Sequence, residues 1–508
     1  MLAKVSSFGL LGIEAYPVEI EVDVARGLPA VVIVGMADTA IRESKERVKS
    51  AIKNSGFDWP AEKITISLAP SNIRKEGSSF DLAIALGILA ASEQINTSCL
   101  SRYFILGELS LDGLVRPAKG LLSIGLAASA TGNRAILAPE ANAEEAAVVT
   151  SVDVYSISSL RQAVDVICSR RVSEPLRINP REAFFQNAGY PVDFAEVKGQ
   201  YHARRALEVA VAGGHNILMI GPPGGGKTML AKRIPTIMPD LTLQEALEIT
   251  KIHSAKGILG SKIGIAGTRP FRSPHHSISD IALIGGGSNP QPGEISLAHG
   301  GVLFLDELPE FRRNCLEALR QPLEDGVIHV SRAAGSLVFP AWFMLVAAMN
   351  PCPCGYYTDR KTACRCNTTK IANYIGKISG PLLDRIDIHI EVPSIKYSEM
   401  TTLTEGEASR IIRGRVNTSR ITQHGRFLHE GIFCNARMNT GLIKTFCKLD
   451  DAGRSLLKRA MTELKLSARA YEKILKISRT IADLAGSKDI LPVHIAEAIQ
   501  YRTLDRLW

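Results

Sequence analysis

The 508-residue chain has no uninterrupted apolar run of about 18 residues, so no membrane-spanning helix and no membrane partner are expected. Its first residues, MLAKVSSFGLLGIEAYPVEIEVDV, lack a sustained apolar stretch and bring Glu14, Glu19 and Glu21 in quick succession. A signal peptide is not expected there. Cysteine is scarce: nine in so long a chain make no disulfide framework. Four of the nine crowd into one short segment, which suits metal binding in a reducing compartment. Internal repeats and low-complexity tracts are also missing. The 45% apolar and 22% charged fractions exclude wholesale disorder and collagen-like structure. What is left is a cytoplasmic globular chain, too long for one core, of about three domains.

The net charge of +9 is unevenly spread: residues 401–508 carry 19 Lys and Arg against 11 Asp and Glu, and residues 1–400 carry 41 against 40. A basic region on a neutral body is what contact with nucleic acid would need, although a solvated helical face has the same composition. From residue 1 to about 170, short apolar runs such as Ala30–Val34 and Ile64–Leu68 alternate with helix-like segments such as Thr39–Ile52 and Ala83–Ser92, giving an α/β or α+β domain. Ser169–Ala195, basic and proline-containing, reads as a linker. From Glu196 apolar strands again alternate with helices, which implies a parallel sheet covered by helices. After Pro393 the pattern becomes helical, with Gly486 a C-cap.

The strongest chemical signal is GPPGGGKT: Gly221, Pro222, Pro223, Gly224, Gly225, Gly226, Lys227 and Thr228. It follows the apolar run Asn216–Ile220 and precedes a helical segment, the context a P-loop requires. Glycines let backbone N–H groups close around phosphate oxygens, and the helix N-terminus adds partial positive charge. Lys227 would reach the β- and γ-phosphates of ATP, and the Thr228 hydroxyl would ligate Mg²⁺. Downstream, Val302–Leu305 runs into Asp306 and Glu307, one carboxylate for the Mg²⁺ shell and one to polarise the attacking water.

Three further residues gain meaning beside these. Asn350 ends the apolar strand Trp342–Met349 and is suited to orient the water. Arg385 begins another strand as a candidate arginine finger, which requires a neighbouring subunit, and Arg469 opens a C-terminal helix as a candidate γ-phosphate sensor. Just after Asn350, Cys352-x-Cys354 and Cys364-x-Cys366 supply four thiols within fifteen residues, enough for a tetrahedral Zn²⁺ site or, alternatively, reduced free thiols. Cys99, Cys168, Cys315, Cys434 and Cys447 read as packing residues. The pair His275-His276 reads as structural or interdomain, since adjacent side chains cannot share a helix face.

GPPGGGKT, RPFRSPHHSISDIALIGGG, PGEISLAHGGVLFLDELPEF, AAMNPCPCG, PLLDRIDI and LSARA stand in this order along the chain. The set resembles the magnesium-chelatase-like AAA+ ATPases of bacteria, the YifB/ComM family, over essentially the whole chain. The resemblance implies a central AAA+ P-loop sheet in a homohexameric ring, Lys227 and Thr228 as Walker A, and Asp306 and Glu307 as Walker B. It also implies Asn350 as sensor 1, Arg385 as arginine finger, Arg469 as sensor 2 in a C-terminal helical lid, and a structural zinc module on the four cysteines. Relatives among the MCM helicases and magnesium chelatase carry an insertion before Walker B, here about Ile284–Leu297, and a hairpin before sensor 1, here Val327–Phe339. In the helicases such loops hold DNA, which makes Arg332, at the hairpin tip Arg332-Ala333-Ala334-Gly335, the candidate phosphate contact.

The N-terminal part resembles the Lon-protease-type domain (ribosomal S5 domain 2-like), with KEGSSFDLAIALGILAA bringing Ser79 to the nucleophile position. In GELSLDGLVRPAKGLLSI, however, Leu122 falls where the catalytic lysine belongs and Lys119 stands three residues early. A serine without a base is a weak nucleophile, so the domain reads as non-proteolytic. The expected layout is a Lon-like domain over 1–170, a linker over 171–195, an AAA+ core over 196–395 with the cysteine insert at 352–366, and a lid over 396–508. Three functions stay open: an ATP-driven motor on single-stranded or branched DNA that promotes branch migration, a chelatase-type ATPase remodelling a protein partner, and a nucleotide-sensing scaffold.

Overall fold

Alternation of apolar and polar residues makes Leu2–Leu11 and Glu14–Ala25 strands with one buried face, and Gly12-Ile13 turns one into the other. A computed structural model describes residues 1–75, 77–132, 135–169, 173–260, 263–287, 290–332, 335–357, 362–394, 406–464 and 466–504. These residues form two compact units. The first comprises Met1–Gly189, Leu243–Gly267 and Gly286–Pro292; the second comprises Tyr190–Thr242, Thr268–Gly285 and Gly293–Trp508.

The first unit is built on a seven-stranded mixed sheet in the order Ala30–Val34, Lys63–Ala69, Glu14–Ala25, Leu2–Leu11, Tyr103–Ile105, Ala135–Pro139, Val154–Ile157. Helix Asp81–Ala91 is apolar all round after its first residue, and every position of it is buried. Such a helix belongs inside a core rather than on it. Gly87 allows the close approach, since a Cβ there would lie 2.6 Å from Val22 Cγ2. Part of the expected linker is ordered here: Pro180–Gln186 is a helix capped by Asn179, and Leu176 bridges to Val154. Helix Leu243–Lys256 also joins this unit, where the Ser254 carbonyl accepts from Gly120 N–H at 3.0 Å.

The second unit holds an all-parallel five-stranded sheet, ordered Phe271–Arg272, Val302–Leu305, Met344–Met349, Ile217–Ile220, Ile388–Glu391. Val302–Leu305, Met344–Met349 and Ile217–Ile220 are continuous apolar runs with every residue buried, as strands inside a covered parallel sheet are, while the edge strand Ile388–Glu391 carries a buried His389 and an exposed Glu391. Five main helices follow, Ser409–Arg426, Thr440–Phe446, Asp451–Glu463, Ala468–Leu484 and Pro492–Gln500. Their apolar faces merge with the sheet in one core that includes Ile217, Phe304, Ile390, Ile477 and Ile495. A polar link crosses the same region, where buried His215 contacts Asp387 and Thr480, each at 2.9 Å. Gly486 takes φ +66° just past helix Ala468–Leu484, as its C-cap role requires. Among the described residues no helix is long and apolar enough to cross a membrane.

Candidate functional site

In an open parallel sheet the carboxyl ends of the strands face the ligand crevice. Here Ile217–Ile220 ends in the glycine-rich loop, and helix Lys227–Ile237 starts directly from it. Gly224 and Gly226 take φ +76° and +80°, a region costly for other residues. Gly221 has no room for a side chain, because a Cβ would lie 2.0 Å from the Val392 carbonyl oxygen. Lys227 is buried, and its ammonium donates to the carbonyls of Gly221 (2.6 Å) and Pro222 (2.9 Å) and to Asn350 Oδ1 (3.2 Å). Burial lowers the Lys227 pKa, and the Asp306 and Glu307 charges oppose that shift.

The neighbouring strand Val302–Leu305 delivers Asp306, whose Oδ2 accepts from Thr228 Oγ1 at 2.7 Å and whose Oδ1 accepts from Glu307 N–H at 3.0 Å. Glu307 turns the chain through left-handed backbone, φ +54°. Its carboxylate stands 3.3 Å from His276 Nδ1. Met344–Met349, the strand between these two, ends at Asn350. A cleft of about 380 Å³ is bounded by residues 223–229 with Asp306, Glu307 and Asn350. The loop residues and the three downstream polar residues singled out in the sequence therefore converge, except that Gly221 and Pro222 do not line the cleft and instead present their carbonyls to Lys227.

The two arginines do not join them. Arg385 precedes its strand rather than opening it: it lies after the turn Gly380–Leu383, and the strand begins at Ile388. Its carbonyl accepts from Asn216 Nδ2 at 2.9 Å. Asn216 is five residues before Gly221, about 16 Å away at ~3.3 Å rise per residue. The Arg385 guanidinium is engaged by Glu324 and by the Pro381 carbonyl (2.6 Å). Arg469, in the first turn of helix Ala468–Leu484, donates to Asp384 at 2.6 Å. Both arginines thus mark the amino-terminal edge of the sheet, opposite the cleft.

Cys352, Cys354, Cys364 and Cys366 converge within 4.8 Å of one another. The Sγ separations among the first three are 3.3, 3.6 and 3.7 Å. Tetrahedral Zn–S bonds of about 2.3 Å would put sulfurs about 3.8 Å apart, so the donor set fits zinc closely. Backbone N–H groups of Arg365 and Tyr356 hold the Cys354 thiol down at about 6, whereas its sulfur neighbours Cys354 and Cys352 help push Cys364 up to about 12 and Cys366 upward, so without a cation the four thiols do not all ionise together. Zinc there would supply a structural crosslink.

The expected hairpin is present as antiparallel strands Val327–Arg332 and Gly335–Pro340. The Arg332 side chain and residues 333–334 lie outside the described residues. In the first unit, Ser79 and Lys119 both line a cavity of about 430 Å³, with Ser78 bonded to Glu108. Leu122 is fully buried, and among the described residues no hydrogen bond joins Ser79 to Lys119.

Three contacts escaped the sequence reading. Gln200 Nε2 donates to the Gly225 carbonyl at 2.6 Å and clamps the phosphate loop from outside the motif. His276, expected to be structural or interdomain, stands 3.3 Å from the Glu307 carboxylate in the cleft. Gly355, within the cysteine loop, abuts Pro223. All are non-local, and only the two-residue strand Phe271–Arg272, beside Val302–Leu305, could have hinted at His276.

Family models confirm the resemblance. Residues 193–400 match "Magnesium chelatase, subunit ChlI", residues 20–142 match "Subunit ChlI of Mg-chelatase", and residues 406–502 match its C-terminal model. The chain is 43% identical to Competence protein ComM of Haemophilus influenzae over 510 residues, covering 100% of this chain and 98% of that protein. It is 42% identical to the protein YifB of Escherichia coli over 507 residues, again 100% and 98%. Partial similarity extends to the DNA replication licensing factor MCM5 of Arabidopsis thaliana (24% over 316 residues, 58% of this chain and 38% of that protein). A shorter stretch resembles Lon protease 2 of Bacillus subtilis (29% over 157 residues, 28% and 27%). Full-length identity at this level, joined to a P-loop facing an acidic strand end, makes the chain a member of the YifB/ComM family of magnesium-chelatase-like AAA+ ATPases.

Proposed function

We propose that the chain is an ATP-hydrolysing ring motor on single-stranded or branched DNA, a helicase promoting branch migration in homologous recombination and natural transformation. The observation that carries the reading is the split of the polar residues. Lys227, Thr228, Asp306, Glu307 and Asn350 share one edge of the sheet, while Arg385 and Arg469 share the other. One chain cannot wrap all of them around one nucleotide, so the reading needs a ring, taken as a homohexamer. Lys227 holds the β- and γ-phosphates, and Thr228 with Asp306 holds Mg²⁺. Magnesium, when bound, neutralises phosphate charge. Glu307 accepts the proton of the attacking water and Asn350 orients it, while Arg385 of a neighbouring subunit stabilises the charge that develops. Arg469 senses the γ-phosphate from that same side.

The DNA part rests on the basic region 401–508, the hairpin bearing Arg332, and relatives named for competence and for DNA replication licensing. In this reading the AAA+ core spans 196–395 with its cysteine insert at 352–366, the lid spans 396–508, and the Lon-like part, 1–170, followed by the linker 171–195, is a non-proteolytic platform. The match to magnesium chelatase models favours a second reading, an ATPase that remodels a protein partner. A purely sensing scaffold would need neither Glu307 nor Arg385. The test is a synthetic four-way junction incubated with the protein and ATP. Resolution into duplexes, abolished by Lys227→Ala, is expected. An intact junction would favour the second reading.

A further inference from the structure

The chain that leaves sensor 1 touches the phosphate loop three times within seven residues. The Met349 carbonyl accepts from Gly221 N–H at 3.2 Å, Asn350 Oδ1 accepts from Lys227 at 3.2 Å, and Gly355 packs against Pro223. Gly355 is buried at φ +88°, its N–H donates to the Cys352 carbonyl at 2.9 Å, and a Cβ on it would lie 2.6 Å from Pro223 Cδ. The same segment is closed from behind. Cys366 leads straight into helix Thr368–Ile375, capped by Asn367, and Tyr374 of that helix returns to hydrogen-bond the Asn350 backbone.

We infer that the cysteine loop is a positioning element of the nucleotide site: the four thiolates, tied by zinc, fix Gly355 against Pro223 and Asn350 against Lys227. This inference rests on the cleft being the ATP site. The physical reason is entropic. A loop of fifteen residues without a crosslink samples many shapes, and each would carry Asn350 and the Pro223 buttress away from one geometry. A crosslink among Cys352, Cys354, Cys364 and Cys366 removes that freedom while leaving the phosphate-facing surface of the loop open.

The test uses the full chain, a fluorescent ATP analogue and a colorimetric zinc assay. Wild type should release one zinc per chain on thiol modification. Chelation or Cys364→Ser should weaken analogue binding by about tenfold, and zinc added back to chelated wild type should restore it. Gly355→Ala separates the metal from the contact: it should keep its zinc and still weaken binding by about tenfold, because its Cβ displaces Pro223. Removing the proline ring in Gly355→Ala/Pro223→Ala should recover part of that loss. Unchanged analogue affinity in both zinc-free Cys364→Ser and zinc-loaded Gly355→Ala would overturn the inference. Lys227→Ala guards the reading beneath it: if that variant binds the analogue normally, the cleft is not the ATP site, which is a different failure.

Discussion

Arg469 donates to Asp384 at 2.6 Å, and Asp384 is the residue before Arg385. The pairing joins the helical C-terminal region to the turn that carries the other arginine, at the sheet edge away from the phosphate loop. Both side chains should therefore serve the nucleotide of a neighbouring subunit. Arg385→Ala should lower kcat by about 10³-fold or more with ATP affinity held within a few fold. Mixing it with Glu307→Gln subunits should restore part of the turnover, because some interfaces then combine an intact Glu307 with an intact Arg385. No recovery on mixing, in rings that demonstrably exchange subunits, would place the arginine's action within its own chain.

His276 Nδ1 lies 3.3 Å from the Glu307 carboxylate, near enough to fix its orientation. His276→Ala should lower kcat by about tenfold while KM stays near the wild-type value, since the ring orients the base without touching the phosphates. His276→Asn, which retains a donor, should lose less. A loss confined to KM would contradict an orienting role.

Arg332 stands in register with Gly335 at the end of its hairpin. Arg332→Ala should weaken DNA binding similarly for all sequences and reduce the salt slope of log affinity by about one phosphate contact. ATPase turnover without DNA should not change. Salt titration of binding to labelled single-stranded DNA checks this, and an unaltered slope would remove the hairpin from the DNA path.

Leu122 is buried within helix Leu121–Ala130, at the position where the resemblance to the Lon-type domain would put the catalytic lysine. Fluorogenic peptide substrates should accordingly show no turnover, and Ser79→Ala should leave ATPase activity unchanged. Cleavage that disappears in Ser79→Ala would mean that a base other than residue 122 activates the serine.

What could be read from the sequence was what is local. The phosphate loop, Asp306, Glu307 and Asn350 each close an apolar strand, so strand plus terminal residue is visible in a few consecutive positions. The cysteine quartet was legible for the same reason, four ligands within fifteen residues. Contacts made across sequence distance were not. Nothing near Gln200 announces its bond to Gly225, and Gly355 meets Pro223 from 132 positions away. Helix Leu243–Lys256 follows the phosphate-loop helix in the chain yet packs in the first unit, which periodicity cannot reveal. Arg385 was expected to open a strand; its position in the preceding turn, below the sheet, follows from the register of Ile388 with Ile217.

In the proposed function, ATP hydrolysis at the Glu307 cleft is coupled to DNA. The most direct measurement is the steady-state ATPase rate without DNA, with single-stranded DNA and with branched DNA, beside a Glu307→Gln variant. A rate raised at least severalfold by DNA is expected in the wild type, and the variant should bind ATP but turn over at background with or without DNA. A wild-type rate indifferent to every DNA would contradict the coupling and turn attention to a protein partner.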